Sequence, residues 1–160
     1  MGKDRHDSHR QSLELRGGLR GVTVYARRMS QEMFERGLEK RRAVMGAEFV
    51  ERAFAGGEDA FGADFQRFLT EYAWGAVWGR GGLTDRERHM VTIGILAALG
   101  REKELAGHLR ATANTGVSER DLSDVLHQVA VYAGVPAALS AVKAAQDILK
   151  GAPAGEQPKE

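Results

Sequence analysis

The sequence predicts an all-α fold, and three observations carry that reading. From Gln31 onward apolar residues recur at three- and four-residue steps, prolines are few, and no stretch sustains the apolar/polar alternation of a half-buried strand. The apolar stretches are bounded by helix start and stop residues: Thr84 and Ser118 precede two of them, and Gly116 and Gly151 follow two others. At 160 residues the chain has room for one domain with a core of its own.

Residues 1–30 read as a flexible N-terminal arm, because charges of both signs, Gly17, Gly18 and Gly21 leave little to bury. Arg10, Arg16, Arg20, Arg27 and Arg28 lie in the arm among acids and with few aromatic residues, which favours a subunit clasp over a nucleic-acid contact. The helical domain is expected over 31–150, with 151–160 a loose tail. Helices are expected over Gln31–Met45 and Ala47–Phe54, followed by a loop at Gly56 and Gly57. Over 62–78, Phe65, Phe68, Leu69, Tyr72 and Ala76 form one apolar stripe, read as buried, and Gly79, Gly81 and Gly82 end it. Thr84 with Glu87 makes a capping box, opening a helix to about Leu99 that is apolar on most sides and is placed at the bundle centre. After Gly100 the pattern resumes over Arg101–Thr115, which predicts a helical hairpin with Gly116 as its C-terminal cap. Ser118 with Asp121 opens a helix through Ala133, and Pro136 opens the last one, which Gly151 closes.

Composition narrows the chemistry. Basic and acidic residues nearly balance, 23 against 22, so no global field gathers nucleic acid or an anionic membrane. The chain has no cysteine, which removes disulfides, thiolate nucleophiles and thiolate metal sites and fits a reducing compartment. The most apolar stretch, Met90–Leu99, is too short to span a bilayer, so a soluble, cytoplasmic protein is expected.

The stretch richest in chemical groups is Arg101–His108, where Arg101, Glu104 and His108 fall on one helix face. A cation, a carboxylate and an imidazole so placed can bind an anion and move a proton near neutral pH, or can form a plain surface ion-pair ladder. His89, His108 and His127 occur on three successive helices, but no ligand pair lies within one helix, so no metal site is assigned. Trp74, Trp78 and Tyr132 are either core and interface aromatics or a substrate platform. Gly79-Arg80-Gly81-Gly82 lacks the strand-before, helix-after setting of a phosphate loop, so no nucleotide is expected.

Several strings together resemble a known family. Glu71-Tyr72-Ala73-Trp74-Gly75-Ala76-Val77-Trp78-Gly79-Arg80-Gly81-Gly82-Leu83 is similar to the Ala-Trp-Gly, Trp, Arg and Gly-Leu pattern of the carboxymuconolactone decarboxylases. Leu105-Ala106-Gly107-His108-Leu109-Arg110-Ala111 resembles their histidine helix. Asn114-Thr115-Gly116-Val117 and Val131-Tyr132-Ala133-Gly134-Val135-Pro136-Ala137-Ala138 follow in the same order. The resemblance spans about 37–149 and includes the Arg41-Arg42-Ala43-Val44-Met45-Gly46 segment of the decarboxylase branch. Arg101 and Glu104 stand where the alkylhydroperoxidase-like relatives carry a Cys-x-x-Cys pair, so thiol peroxidase chemistry is excluded here.

The resemblance implies a small helical bundle of the alkylhydroperoxidase-like type, assembled as a homo-oligomer, a hexamer or trimer, without a cofactor. It implies decarboxylation of 4-carboxymuconolactone to 3-oxoadipate enol-lactone in protocatechuate catabolism. His108 is then the proton donor or oxyanion partner, and Glu104 orients it or relays the proton. Arg101 and Arg88 hold carboxylates, Trp74, Trp78 and Tyr132 wall the pocket, and Arg80 crosses a subunit boundary. His127, Tyr72 and His89 complete the expected substrate-binding set. Tyr72 stands where His is common in that branch, Leu139 where Asn is common, and His89 in place of a small residue or Glu. These departures suit a less polar or larger substrate, and hence an alternative reading as a decarboxylase, isomerase or cyclase recruited to a biosynthetic pathway. A non-catalytic, ligand-binding helical oligomer is the third reading.

Overall fold

The computed structural model describes residues 28–151; the expected arm before residue 28 and the tail after 151 lie outside the described residues. Helix α1 covers 28–45, so helical structure already includes the last residues assigned to the arm. It turns at Gly46 (φ 90°) into α2, Ala47–Phe54. Then α3, Ala63–Leu69, passes without a break into a π-helix, Thr70–Trp78. The second half consists of α4 (Asp85–Ala98), α5 (Glu102–Arg110), α6 (Thr112–Thr115), α7 (Glu119–Tyr132) and α8 (Val135–Gly151). The regular elements among the described residues are all helical, as the sequence predicts.

The helix boundaries follow local chemistry. In α4 the Thr84 side chain accepts from the Glu87 amide while the Glu87 carboxylate accepts from the Thr84 amide, and Ser118 and Asp121 do the same for α7. Losing the Ser118 hydroxyl frees an amide at the start of α7. Ser118→Ala is therefore expected to lower stability by about 1 kcal/mol, read as a shifted urea midpoint at unchanged slope. Gly116 takes the left-handed conformation (φ 71°) that ends α6. The continuous helix expected over Arg101–Thr115 is broken at Ala111 into α5 and α6.

Two apolar clusters organise the packing. Helices α4, α5, α7 and α8 enclose Ile93, Ala97, Leu105, Leu109, Leu126 and Ala141 with their neighbours. The second cluster, Val44, Met45, Trp74, Trp78 and Ala111, joins α1 and the π-helix to the end of α5. Polar ties fix this layer: Lys40 pairs with Asp85 at 2.8 Å, the Asn114 amide donates to the Val44 carbonyl at 3.0 Å, and the Arg36 guanidinium forks onto the Gly75 carbonyl. Buried Arg41 donates to Thr70 Oγ1 and Gln66 Oε1, and burial pushes its pKa down.

Two packing expectations are corrected. Phe65, Phe68 and Tyr72 are 60%, 55% and 62% exposed, so these members of the stripe read as buried face outward, while Leu69 is half-buried against the second cluster. The residues buried from this stretch are Thr70, Trp74, Gly75 and Trp78, where the chain has left the α register. Likewise α4 is not apolar-packed on most sides: Ile93 and Ala97 are buried, but Val91, Ile95 and Leu99 form an exposed row at four-residue steps. Its neighbours α5, α7 and α8 cover the other face. No helix among the described residues is long and apolar enough to cross a membrane.

Candidate active site

The π-helix starts where the Thr70 hydroxyl donates to the Gln66 carbonyl at 2.8 Å, a side-chain bond that competes with the backbone ladder. Its register is visible at the far end, where the Gly79 amide donates to the Trp74 carbonyl five residues back, at 2.8 Å. That register winds more residues into each turn than an α-helix does, which brings residues four apart nearly above one another. Trp74 and Trp78 stack accordingly, with centroids 4.9 Å apart.

Opposite this pair stand two histidines. Helices α4 and α5 run antiparallel about the turn at Gly100 (φ 63°), which brings His89 and His108 side by side. His108 lies nearly parallel to both indoles, at centroid distances of 6.5 Å to Trp74 and 6.4 Å to Trp78. His89 is completely buried and meets Trp78 edge-on at 6.1 Å. The two imidazoles are joined by a hydrogen bond of 3.1 Å between His108 Nδ1 and His89 Nε2, and His89 Nδ1 meets Thr115 Oγ1 at 2.7 Å.

Burial among indoles penalises charge on either ring. It lowers the pKa of His89, and burial together with the neighbouring His89 lowers that of His108 from 6.5 to about 4. Both rings are therefore neutral at pH 7, which lets one donate and the other accept. Because the folded-state pKa lies below the unfolded one, the unfolded chain takes up its proton first as the pH falls. The stability conferred by the neutral pair is complete above 6.5 and lost on acidification from 6.5 towards about 4. For His108 alone the loss by about pH 5 is on the order of 2 kcal/mol. Urea unfolding at neutral pH and near pH 5 measures it, and His108→Gln is expected to flatten the dependence.

The other expected site residues are placed as follows. Arg88 precedes His89 and is half-buried, with its Nε buried and without a hydrogen-bond partner among the described residues. Arg101 caps α5 and is exposed, as is Glu104. Neither forms an ion pair among the described residues, so the Arg101–Glu104–His108 row does not close into a network. The ring partner expected to be Glu104 is His89 instead. His127 is exposed on α7 and bonds the Ser123 carbonyl, so the three histidines do not converge. Among the described residues no three His, Asp or Glu side chains are grouped to hold a metal ion. Tyr72 stacks on Phe68 at 5.6 Å, while Arg80, Tyr132 and Leu139 are exposed and make no hydrogen bond or ring contact with the histidine pair among the described residues.

Thr115 was not among the expected site residues, although it lies in the matched Asn114–Val117 string. The signal that could have paired His89 with His108 is their similar separation from the Gly100 turn on two antiparallel helices. A groove of about 370 Å³ between α4, α5 and α8, lined by Glu102, Lys143 and Asp147 with small residues, shares no side chain with this cluster. The histidine–indole cluster is the better candidate, because among the described residues it joins a proton-moving group to a flat apolar platform and the groove does not.

Comparison with known proteins identifies the family. The profile of the carboxymuconolactone decarboxylase family matches residues 63–147, which include both indoles, both histidines and Thr115. The chain is 42% identical over 120 residues to 4-carboxymuconolactone decarboxylase of Acinetobacter baylyi, covering 75% of this chain and 89% of that protein. It is 33% identical over 114 residues to nitrosuccinic acid decarboxylase of Metarhizium robertsii, covering 71% and 79%. An uncharacterised 15.0 kDa protein of Paracoccus denitrificans is 27% identical over 131 residues.

Proposed function

The chain belongs to the carboxymuconolactone decarboxylase family, and on that premise we propose that it converts 4-carboxymuconolactone to 3-oxoadipate enol-lactone and carbon dioxide without a cofactor. The observation that carries this reading is the 42% identity to the Acinetobacter baylyi enzyme over 89% of that protein's length. The histidine–indole cluster supports it chemically.

The departing carboxylate sits on a carbon conjugated through an alkene to the lactone carbonyl. Its bonding electrons flow into a dienolate, so the substrate is its own electron sink. The protein must hold a flat anion, stabilise the growing negative charge and return one proton to carbon. Trp74 and Trp78 offer a flat apolar wall for the ring. Arg88 and Arg101 are the cations assigned to the carboxylates, since a guanidinium grips a carboxylate with two parallel bonds. His108 delivers the proton. An anionic substrate beside it favours the imidazolium and raises the low pKa of His108, so the acid forms where it is needed.

Self-assembly belongs to the same proposal. The exposed row Val91, Ile95 and Leu99 on α4 and exposed Val131, Tyr132 and Val135 are apolar surface that a second copy can cover.

A second reading is favoured by the 33% identity to the nitrosuccinic acid decarboxylase. That acid also carries its electron sink, a nitro group, next to the leaving carboxylate, so one site chemistry serves both. The test is kcat/KM for enzymatically generated carboxymuconolactone against 2-nitrosuccinate. The lactone is expected to lead by at least about 100-fold, a difference of about 2.7 kcal/mol in transition-state binding. A reversed order would move the assignment to nitro acids.

A further inference from the structure

We propose that Thr115 is a positioning residue that, through His89, fixes His108 in the tautomer protonated at Nδ1, leaving its Nε2 lone pair as the place where the catalytic proton is taken up. The inference rests on the decarboxylase reading for its consequence, but its geometry stands apart from the substrate.

The direction of each hydrogen bond follows from what each atom can do. Thr115 Oγ1 lies 3.1 Å from the Thr112 carbonyl and 2.7 Å from His89 Nδ1. A carbonyl only accepts, whereas His89 Nδ1 can donate or accept, so all three hydrogen bonds are made together only when the single hydroxyl hydrogen of Thr115 goes to Thr112. The Thr115 oxygen then accepts, and His89 must carry its hydrogen on Nδ1. That leaves His89 Nε2 as a lone pair, which accepts from His108 Nδ1 at 3.1 Å. The whole chain runs one way, from His108 through His89 and Thr115 to the backbone of α6. Reversing it turns the Thr115 hydrogen away from Thr112 and sets two oxygen lone pairs against each other at 3.1 Å, so the reversed chain has one hydrogen bond fewer.

Burial reinforces the arrangement. His89 is completely enclosed, so no water competes for its ring nitrogens, and both rings are held neutral at pH 7. His108 Nε2 has no hydrogen-bond partner among the described residues. Decarboxylation consumes one proton per turnover: the C–C bond breaks, its electron pair passes into the dienolate, and a new C–H bond forms as carbon dioxide leaves. In the Nδ1–H tautomer the solvent proton enters at Nε2, the one nitrogen left open, and is handed from there to carbon. In the opposite tautomer Nε2 already holds its hydrogen and the lone pair at Nδ1 is occupied by His89, so neither nitrogen can collect the proton.

Nitrogen-15 NMR of the histidine side chains reads the tautomer directly in the whole protein without substrate. His89 and His108 are both expected to show a protonated Nδ1 and a bare Nε2 at pH 7. In Thr115→Val the acceptor is gone, and both rings are expected to shift towards the Nε2–H form, with kcat down about tenfold, KM little changed, and Thr115→Ser restoring both signals. A protonated Nε2 on His108 in the unaltered protein overturns the proposal, as does a Thr115→Val protein with unchanged tautomers and kcat. If the tautomers are as expected but carboxymuconolactone is not turned over, the positioning role stands and the substrate assignment falls.

Discussion

Replacing His108 with alanine is expected to reduce kcat by about 10² to 10⁴-fold, the range that a well-placed proton donor contributes. The imidazole lies against Trp74 and Trp78 and is tied to His89, so its ring position is fixed before substrate arrives. Removing it deletes the proposed proton donor and also leaves the buried His89 Nε2 without a partner. Some stability is lost as well, so the variant is compared at a temperature and pH where circular dichroism shows it folded. There the loss should fall on kcat far more than on KM, because the indole wall and the arginines assigned to the carboxylates remain. Full turnover from a folded His108→Ala protein would remove His108 from the chemistry.

The largest expected effect on stability comes from the contact between α1 and the π-helix. A methyl group added at Gly75 would collide with the Met33 carbonyl, and one added at Gly37 with the Thr70 carbonyl and the Gly75 amide. Both obstacles are backbone, which cannot swing aside as a side chain can, so α1 must lift away from Trp74 and Trp78. Gly75→Ala and Gly37→Ala are each expected to cost about 3 kcal/mol, at the upper end of ordinary overpacking. The penalty is a large part of the stability of a domain this size. Gly81→Ala is the control: an added Cβ there meets nothing within 4 Å, and less than about 0.5 kcal/mol is expected. Urea midpoints of the three variants decide the matter, and equal midpoints would show that the helix contact is not tight.

What could be read from the sequence was chiefly what is decided locally. The capping boxes at Thr84 and Ser118, the left-handed Gly116 and the breaks near Gly100 and Gly134 depend on residues within one turn of each other, and all are present. The exposed face of Phe65, Phe68 and Tyr72 was not legible, because periodicity marks a stripe without saying whether anything covers it. The π-helix was hidden as well. Its register depends on Thr70, Gly75 and the packing of α1, and no local propensity announces it. The site divides in the same way. His108, Trp74 and Trp78 stood out as residue types in motifs, whereas the His89–His108–Thr115 chain depends on the rotation of three helices about their axes. Spacing put Arg101 and Glu104 on the face of His108, but both are exposed while His108 turns in towards the indoles.

The proposed activity is removal of carbon dioxide from a carboxylated lactone by the chain's own side chains alone. The most direct test supplies purified protein with freshly generated 4-carboxymuconolactone in buffer with chelator and nothing else added, and follows both carbon dioxide and the ultraviolet signal of the enol-lactone. Carbon dioxide and enol-lactone appearing in equimolar amounts, as fast as the lactone disappears, is the predicted result. A folded protein that leaves the lactone unchanged, or consumes it without releasing carbon dioxide, would contradict the account.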